Sequence, residues 1–243
     1  MKKDLREKDD AVSPVIALML ILAILATCLA VYTTTYVPGL KQQDEITHSG
    51  EVKLAFERFA SDIDNLIALG KPAVYTEVLE LGGGDVPLSP TKSSGTIEIN
   101  TTVIGNYTVG LETKDLNGIE ISYTPSFTAW EKQGYVYQNG VVWITKEEKV
   151  TPAELKLYTI QNGTDRQNET LQKWYPAPPG TVIIPQFTVD ENKTEITGTS
   201  TAKLRLNATL SDLVTGPVSI TLSNGSPQTY SNIRWLNIEV SVE

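Results

Sequence analysis

Cysteine is almost missing from this chain: Cys28 is the only one, and it lies inside an apolar run rather than in the polar remainder. No disulfide can therefore staple the part beyond that run, and about 200 residues are enough to build a core without one. Histidine is equally scarce. His48 stands alone, so neither a histidine-based triad nor a His-rich metal site can be built without other groups. It falls near the start of a helical pattern and is expected to face solvent. Positive charge is short as well, with 20 Lys and Arg against 29 Asp and Glu and a net charge of −9. That sign argues against nucleic-acid binding, which needs a basic footprint. The glycine run Gly82-Gly83-Gly84 lacks the Gly-Lys-Ser/Thr that completes a phosphate loop, and reads as a turn.

One further absence is local. Ala11 to Leu40 holds no charged residue, and from Ala11 to Tyr32 only Ser13, Pro14 and Thr27 interrupt an apolar run. As a helix that run is about 33 Å long, enough to cross a hydrocarbon core of about 30 Å. Lys2, Lys3, Arg6 and Lys8 precede it, whereas the nearest basic residue after it is Lys41. The acidic leader residues contribute little to topology, so the N-terminus is expected in the cytoplasm and the remainder outside. The part beyond Leu40 then carries all of the net negative charge.

Beyond Pro38-Gly39, where a bend or break is expected, Val52, Phe56, Phe59, Ile63, Leu66 and Ile67 recur at helical spacing among charged residues. This predicts an amphipathic helix from Gln43 to Leu69, ended by Gly70 and Pro72, with its apolar stripe covering a β-sheet. From Ala73 onward the period changes to two. Strands are expected at Val74–Leu81, Thr96–Val103, Tyr107–Leu111, Ile119–Thr124, Leu155–Ile160, Thr181–Val189, Thr194–Leu210, Val218–Ser223 and Ile233–Val242. In Gly134–Ile144, Asn139-Gly140 separates two alternating runs, the strongest short hairpin signal a sequence offers. Asn117-Gly118 and Asn224-Gly225 read as further turns, and Pro176–Gly180 as a loop or hinge. The fold class is α+β: a long N-terminal helix, transmembrane then amphipathic, followed by a mostly antiparallel, sandwich-like β ectodomain. Its parts are a charged leader (1–10), a transmembrane helix (11–36), a linker and stalk helix (37–72) and an extracellular β domain (73–243).

Ala11-Val12-Ser13-Pro14-Val15-Ile16, followed at once by the apolar helix, resembles the N-terminal signature of archaeal type IV pilins. The resemblance implies that a prepilin peptidase cuts between Asp10 and Ala11. The hydrophobic helix then stays attached to the head, unlike the removed h-region of an ordinary signal peptide. It also implies partners: a lipid bilayer, or other pilin subunits packed helix to helix in a filament. The segment from Ile121 to Ile144 is similar to one found in a group of archaeal pilin-like surface proteins with no assigned activity.

No catalytic, cofactor or metal constellation can be nominated from sequence. Asp62 and Asp64 diverge on a helix and read as a polar face. Trp130, Tyr135, Tyr137 and Trp143 read as cross-strand core pairs, with a sugar-stacking platform as the alternative. Asn-x-Ser/Thr sequons are in excess. Asn100, Asn106, Asn162, Asn168, Asn192, Asn207 and Asn224 all start one, seven of the chain's 12 asparagines, where Ser/Thr content alone predicts roughly two. Together these features lead us to expect a single-pass, glycosylated surface protein, and the resemblance implies a minor or specialised pilus-like subunit acting in adhesion. A non-polymerising surface glycoprotein is the alternative, and an anchored extracellular enzyme the weaker one, since no carboxylate pair stands out.

Overall fold

The uncharged run and the amphipathic segment form one helical rod. In the computed structural model, which describes residues 9–83, 86–89, 91–147, 149–153, 181–223 and 225–243, helix α1 (Asp9–Val31) continues through a π turn (Tyr32–Tyr36) into α2 (Val37–Leu69). Pro38 does not break the helix. Its ring would strike the carbonyl four residues back, at Thr34. The wider turn relieves this: the Val37 N–H reaches back to the Tyr32 carbonyl, and the Thr33 and Thr34 hydroxyls donate to the carbonyls of Leu29 and Ala30 at 3.0 and 2.7 Å. α2 stops at Gly70, which adopts φ 56° and donates its N–H to Leu66. A Cβ there would also fall 2.1 Å from Ile183 Cδ1.

The two halves of the rod have opposite surroundings. The large apolar residues of α1, from Val15 to Val31, are between 52 and 66 % exposed. Burial begins at Val37, and the first side-chain bond to the head is that of Lys41 with Thr91. One helix, near the N-terminus, is thus long and apolar enough to cross a membrane.

Eleven strands among the described residues make the β domain: β1 (Ala73–Glu80), β2 (Ser94–Val109), β3 (Glu112–Ser126), β4 (Gln133–Gln138), β5 (Val141–Lys146), β6 (Lys149–Pro152), β7 (Thr181–Val189), β8 (Glu195–Gly198), β9 (Thr201–Leu210), β10 (Val214–Leu222) and β11 (Gln228–Val242). The main order is β1-β9-β11-β10-β2-β3-β4-β5-β6. β8 shares one edge of β2 with β10, and β7 pairs with β11 as the one parallel pairing among them. The sheet folds over, so that β7 lies against β3 and β2 without pairing with them. Gln186 of β7 accepts the Asn117 N–H of β3 at 3.2 Å across that approach.

The core lies between these layers and α2. Val52, Phe56, Phe59 and Ile63 of the predicted stripe are buried, Leu66 with them, and Ile67 packs at the margin. Phe59 meets Tyr137 edge-on at 5.6 Å, and Phe56 lies 6.1 Å from Tyr135. Burying one such side chain contributes about 1.5–3 kcal/mol, so the stripe is a main tie between rod and head.

Several strand expectations need correction. Thr96–Val103 and Tyr107–Leu111 are one strand, β2, with a register shift between Val103 and Gly105. Its hairpin to β3 turns at Gly110-Leu111, where Gly110 has φ 63°. Asn117-Gly118 is not a turn but part of β3. Gly118 is needed there because Asn139 Oδ1, which accepts the Ile119 N–H at 3.0 Å, would lie 2.1 Å from a Cβ. Thr194–Leu210 splits into β8 and β9 at Thr199-Ser200. The Asn139-Gly140 turn forms as expected, with φ 46° and 94°. The expected strand at Leu155–Ile160, the loop at Pro176–Gly180, Gly84, and Asn162, Asn168 and Asn224 lie outside the described residues, as do leader residues 1–8.

Candidate functional site

The buried stripe of α2 does not end at Val52. The same three- and four-residue steps continue toward the apolar half through His48, Glu45, Lys41 and Val37, all buried. Polar residues at core spacing need polar partners. The Lys41 ammonium donates to the carbonyl and hydroxyl of Thr91, both at 2.6 Å. One oxygen of Glu45 accepts the Ser93 hydroxyl at 2.5 Å and the Thr128 N–H at 2.9 Å, and the other accepts the Ala129 N–H at 2.8 Å. Burial by itself raises the pKa of this carboxyl, but the bonds from Ser93, Thr128 and Ala129 and the nearby Lys41 charge outweigh it and hold the group below the ordinary glutamate value. Ser49 is fastened too, its carbonyl accepting the Tyr135 hydroxyl at 2.9 Å.

His48 is only 3 % exposed, which corrects the expectation of a solvated side chain. Its Nε2 lies 3.0 Å from the Tyr123 hydroxyl, and that hydroxyl donates its only proton to the Leu81 carbonyl at 3.0 Å. The Tyr123 oxygen can therefore only accept from the ring, so Nε2 carries the proton and Nδ1 the bare lone pair. Nδ1 is buried and has no hydrogen-bond partner. Burial pushes the His48 pKa below its ordinary value, although Glu51, Glu80 and Asp44 and the Leu81 carbonyl pull the other way. Burial thus favours the neutral form of the ring.

His48 lines a cleft of about 450 Å³ between α2 and the end of β1. Asp44, Thr47 and Glu51 of the helix, Glu80 of β1, Lys92 and Ser93, and Thr199 to Thr201 complete it with Gly82 and Gly83. Asp44, His48 and Glu51 share a helix face by their four- and three-residue spacing. One ligating atom each from His48, Glu51 and Glu80 can be chosen so that all three lie within 4.8 Å of one another. The two glycines make the tight passage possible. A Cβ on Gly82 would sit 2.2 Å from the Ser93 carbonyl oxygen, and one on Gly83 2.8 Å from the His48 Cβ.

The other nominated residues are dispersed. Ala11–Ile16 are helical in α1, and Asp10 precedes them in the same helix. Among the described sequons, Asn100, Asn106 and Asn192 are exposed and Asn207 is half-buried, its amide 3.4 Å from Glu239. Asp62 and Asp64 are half-buried on α2 and make no site with each other. The aromatic quartet does not form one platform: Tyr135 and Tyr137 are buried, whereas Trp143 pairs with Val136 on the opposite face. The cleft was missed in sequence because Glu80 and the Thr199–Thr201 wall lie far along the chain from α2, and because its histidine looked solitary. The available signal was the uninterrupted helical spacing of Lys41, Glu45 and His48 with the apolar stripe. No protein family, curated protein or solved structure matches the chain.

Proposed function

We propose that this chain is a pilin-like surface subunit, anchored by α1 in the cell membrane with the β domain outside, and able to enter or cap a filament. The observation that carries this reading is the contrast along one helix. Its second half is built into the head, while its first half leaves an all-round apolar surface uncovered. Such a surface belongs in lipid or against other copies of the same helix.

The pilin-like motif adds a backbone argument. Pro14 has no N–H to give the carbonyl at Asp10, four residues earlier. If the chain is cut before Ala11, that carbonyl is gone, and Pro14 falls among the first four helical residues, whose N–H groups have no intrahelical partner anyway. The large head favours a minor or specialised subunit over the repeating unit of a thin filament, with adhesion as its role. The sequons at exposed positions suit a glycosylated outer surface.

Filaments sheared from cells and analysed by mass spectrometry test the assembly. Peptides of the β domain in the filament fraction support it. Their confinement to the membrane fraction would instead favour the non-polymerising surface glycoprotein.

A further inference from the structure

We infer that His48, Glu51 and Glu80 form a binding site for a divalent transition-metal cation, of the class represented by Zn²⁺, at the junction of α2 and β1. Three independent features converge there. The first is the lone pair on His48 Nδ1, buried and unpartnered inside a side chain that is 97 % enclosed, the complement of its 3 % exposure. A buried acceptor left unmade costs about 1–3 kcal/mol, and a cation at Nδ1 removes that cost.

The second is the arrangement behind the ring. Metal-bound histidines hold their other ring N–H in a hydrogen bond that fixes tautomer and orientation. Here Nε2–H donates to Tyr123, which donates to the Leu81 carbonyl, so the chain of two bonds presents Nδ1 as the ligating atom. Leu81 directly follows Glu80, so the segment that positions the histidine also delivers a carboxylate ligand.

The third is charge and chemistry. Two carboxylates and a neutral imidazole sum to −2, which a divalent cation balances. A nitrogen donor beside oxygens suits Zn²⁺ and its first-row neighbours, whereas Ca²⁺ and Mg²⁺ favour oxygen-only shells. Ligand atoms around a tetrahedral Zn²⁺ are about 3.4 Å apart, from bond lengths of about 2.0–2.1 Å. The present limit of 4.8 Å needs only a modest closing of Glu51 and Glu80, both exposed and free to rotate toward the ring. The open cleft leaves the fourth position to water. Because its ligands come from the helix and from the first strand, the bound cation would clamp the rod to the head.

Isothermal titration of the metal-free full chain in detergent with Zn²⁺ alone tests the site, together with the imidazole ¹⁵N resonances. With one histidine in the chain, those resonances need no assignment. The expected result is one Zn²⁺ per chain, a shift of Nδ1 with the Nε2 proton retained, and a raised Tm. Glu51→Gln and Glu80→Gln should each weaken binding at least tenfold and leave the metal-free Tm unchanged, because both side chains are exposed. Glu98→Gln, an exposed carboxylate that does not line the cleft, serves as the control and should bind as the parent does. An Nδ1 resonance that Zn²⁺ does not move would overturn the site, as would equal affinity in the Glu51→Gln/Glu80→Gln double variant. Neither result bears on the membrane anchor.

Discussion

The Glu45 carboxylate accepts the backbone N–H of Ala129 at 2.8 Å, joining the N-terminal part of α2 to the segment that follows β3. With Thr128 and Ser93 on its other oxygen, this one side chain fastens two loops to the rod. All of its partners are donors. A glutamine amide in its place would turn two hydrogens toward them. Glu45→Gln should therefore lower stability by about 1–3 kcal/mol at pH 7, read by denaturant unfolding in detergent. The pH dependence follows from its depressed pKa. The contribution is complete above the ordinary glutamate value, about 4.5, and is lost as pH falls through the lower folded value. The variant should thus have a shallower acid limb than the parent, and parallel limbs would show that Glu45 is not the group responsible.

Two glycines should respond in opposite senses to alanine. Gly50 lies within α2, and a Cβ added there would have nothing within 4 Å, so Gly50→Ala should stabilise by about 0.5–1 kcal/mol through helix propensity. Gly82→Ala would place a methyl 2.2 Å from a backbone oxygen of Ser93 and should destabilise by about 1–3 kcal/mol. Thermal unfolding of the two variants gives the comparison, and the same sign for both would contradict the close passage.

Glycan occupancy should follow exposure. Asn100, Asn106 and Asn192 are open to solvent, whereas Asn207 is half-buried beside Glu239. Glycopeptide mass spectrometry of the protein from its native cells should find the first three more fully occupied than Asn207. Bare asparagines at all four would remove the glycoprotein part of the proposal.

Much of this architecture was legible because its signals are local. The apolar run, the stripe from Val52 to Ile63 and the Asn139-Gly140 turn each depend on a few neighbouring residues. The failures share a cause. Pro38 looked like a break because the compensating π turn is supported by Thr33 and Thr34, which sequence does not mark as helix supports. Asn117-Gly118 looked like a turn, yet Gly118 serves a contact with Asn139, 21 positions away. His48 looked solvated because Tyr123 and Leu81, which fix it, come from distant strands and loops. Partners separated widely along the chain leave no periodic trace.

The central claim is that α1 is a retained anchor handled as a pilin-like helix, and the N-terminal sequence of the mature, membrane-extracted protein tests it most directly. The account predicts a chain starting at Ala11, with the β domain still attached to the apolar helix. A start at Met1 or Lys2 would contradict pilin-like processing, and a start beyond Tyr32 would contradict the anchor itself.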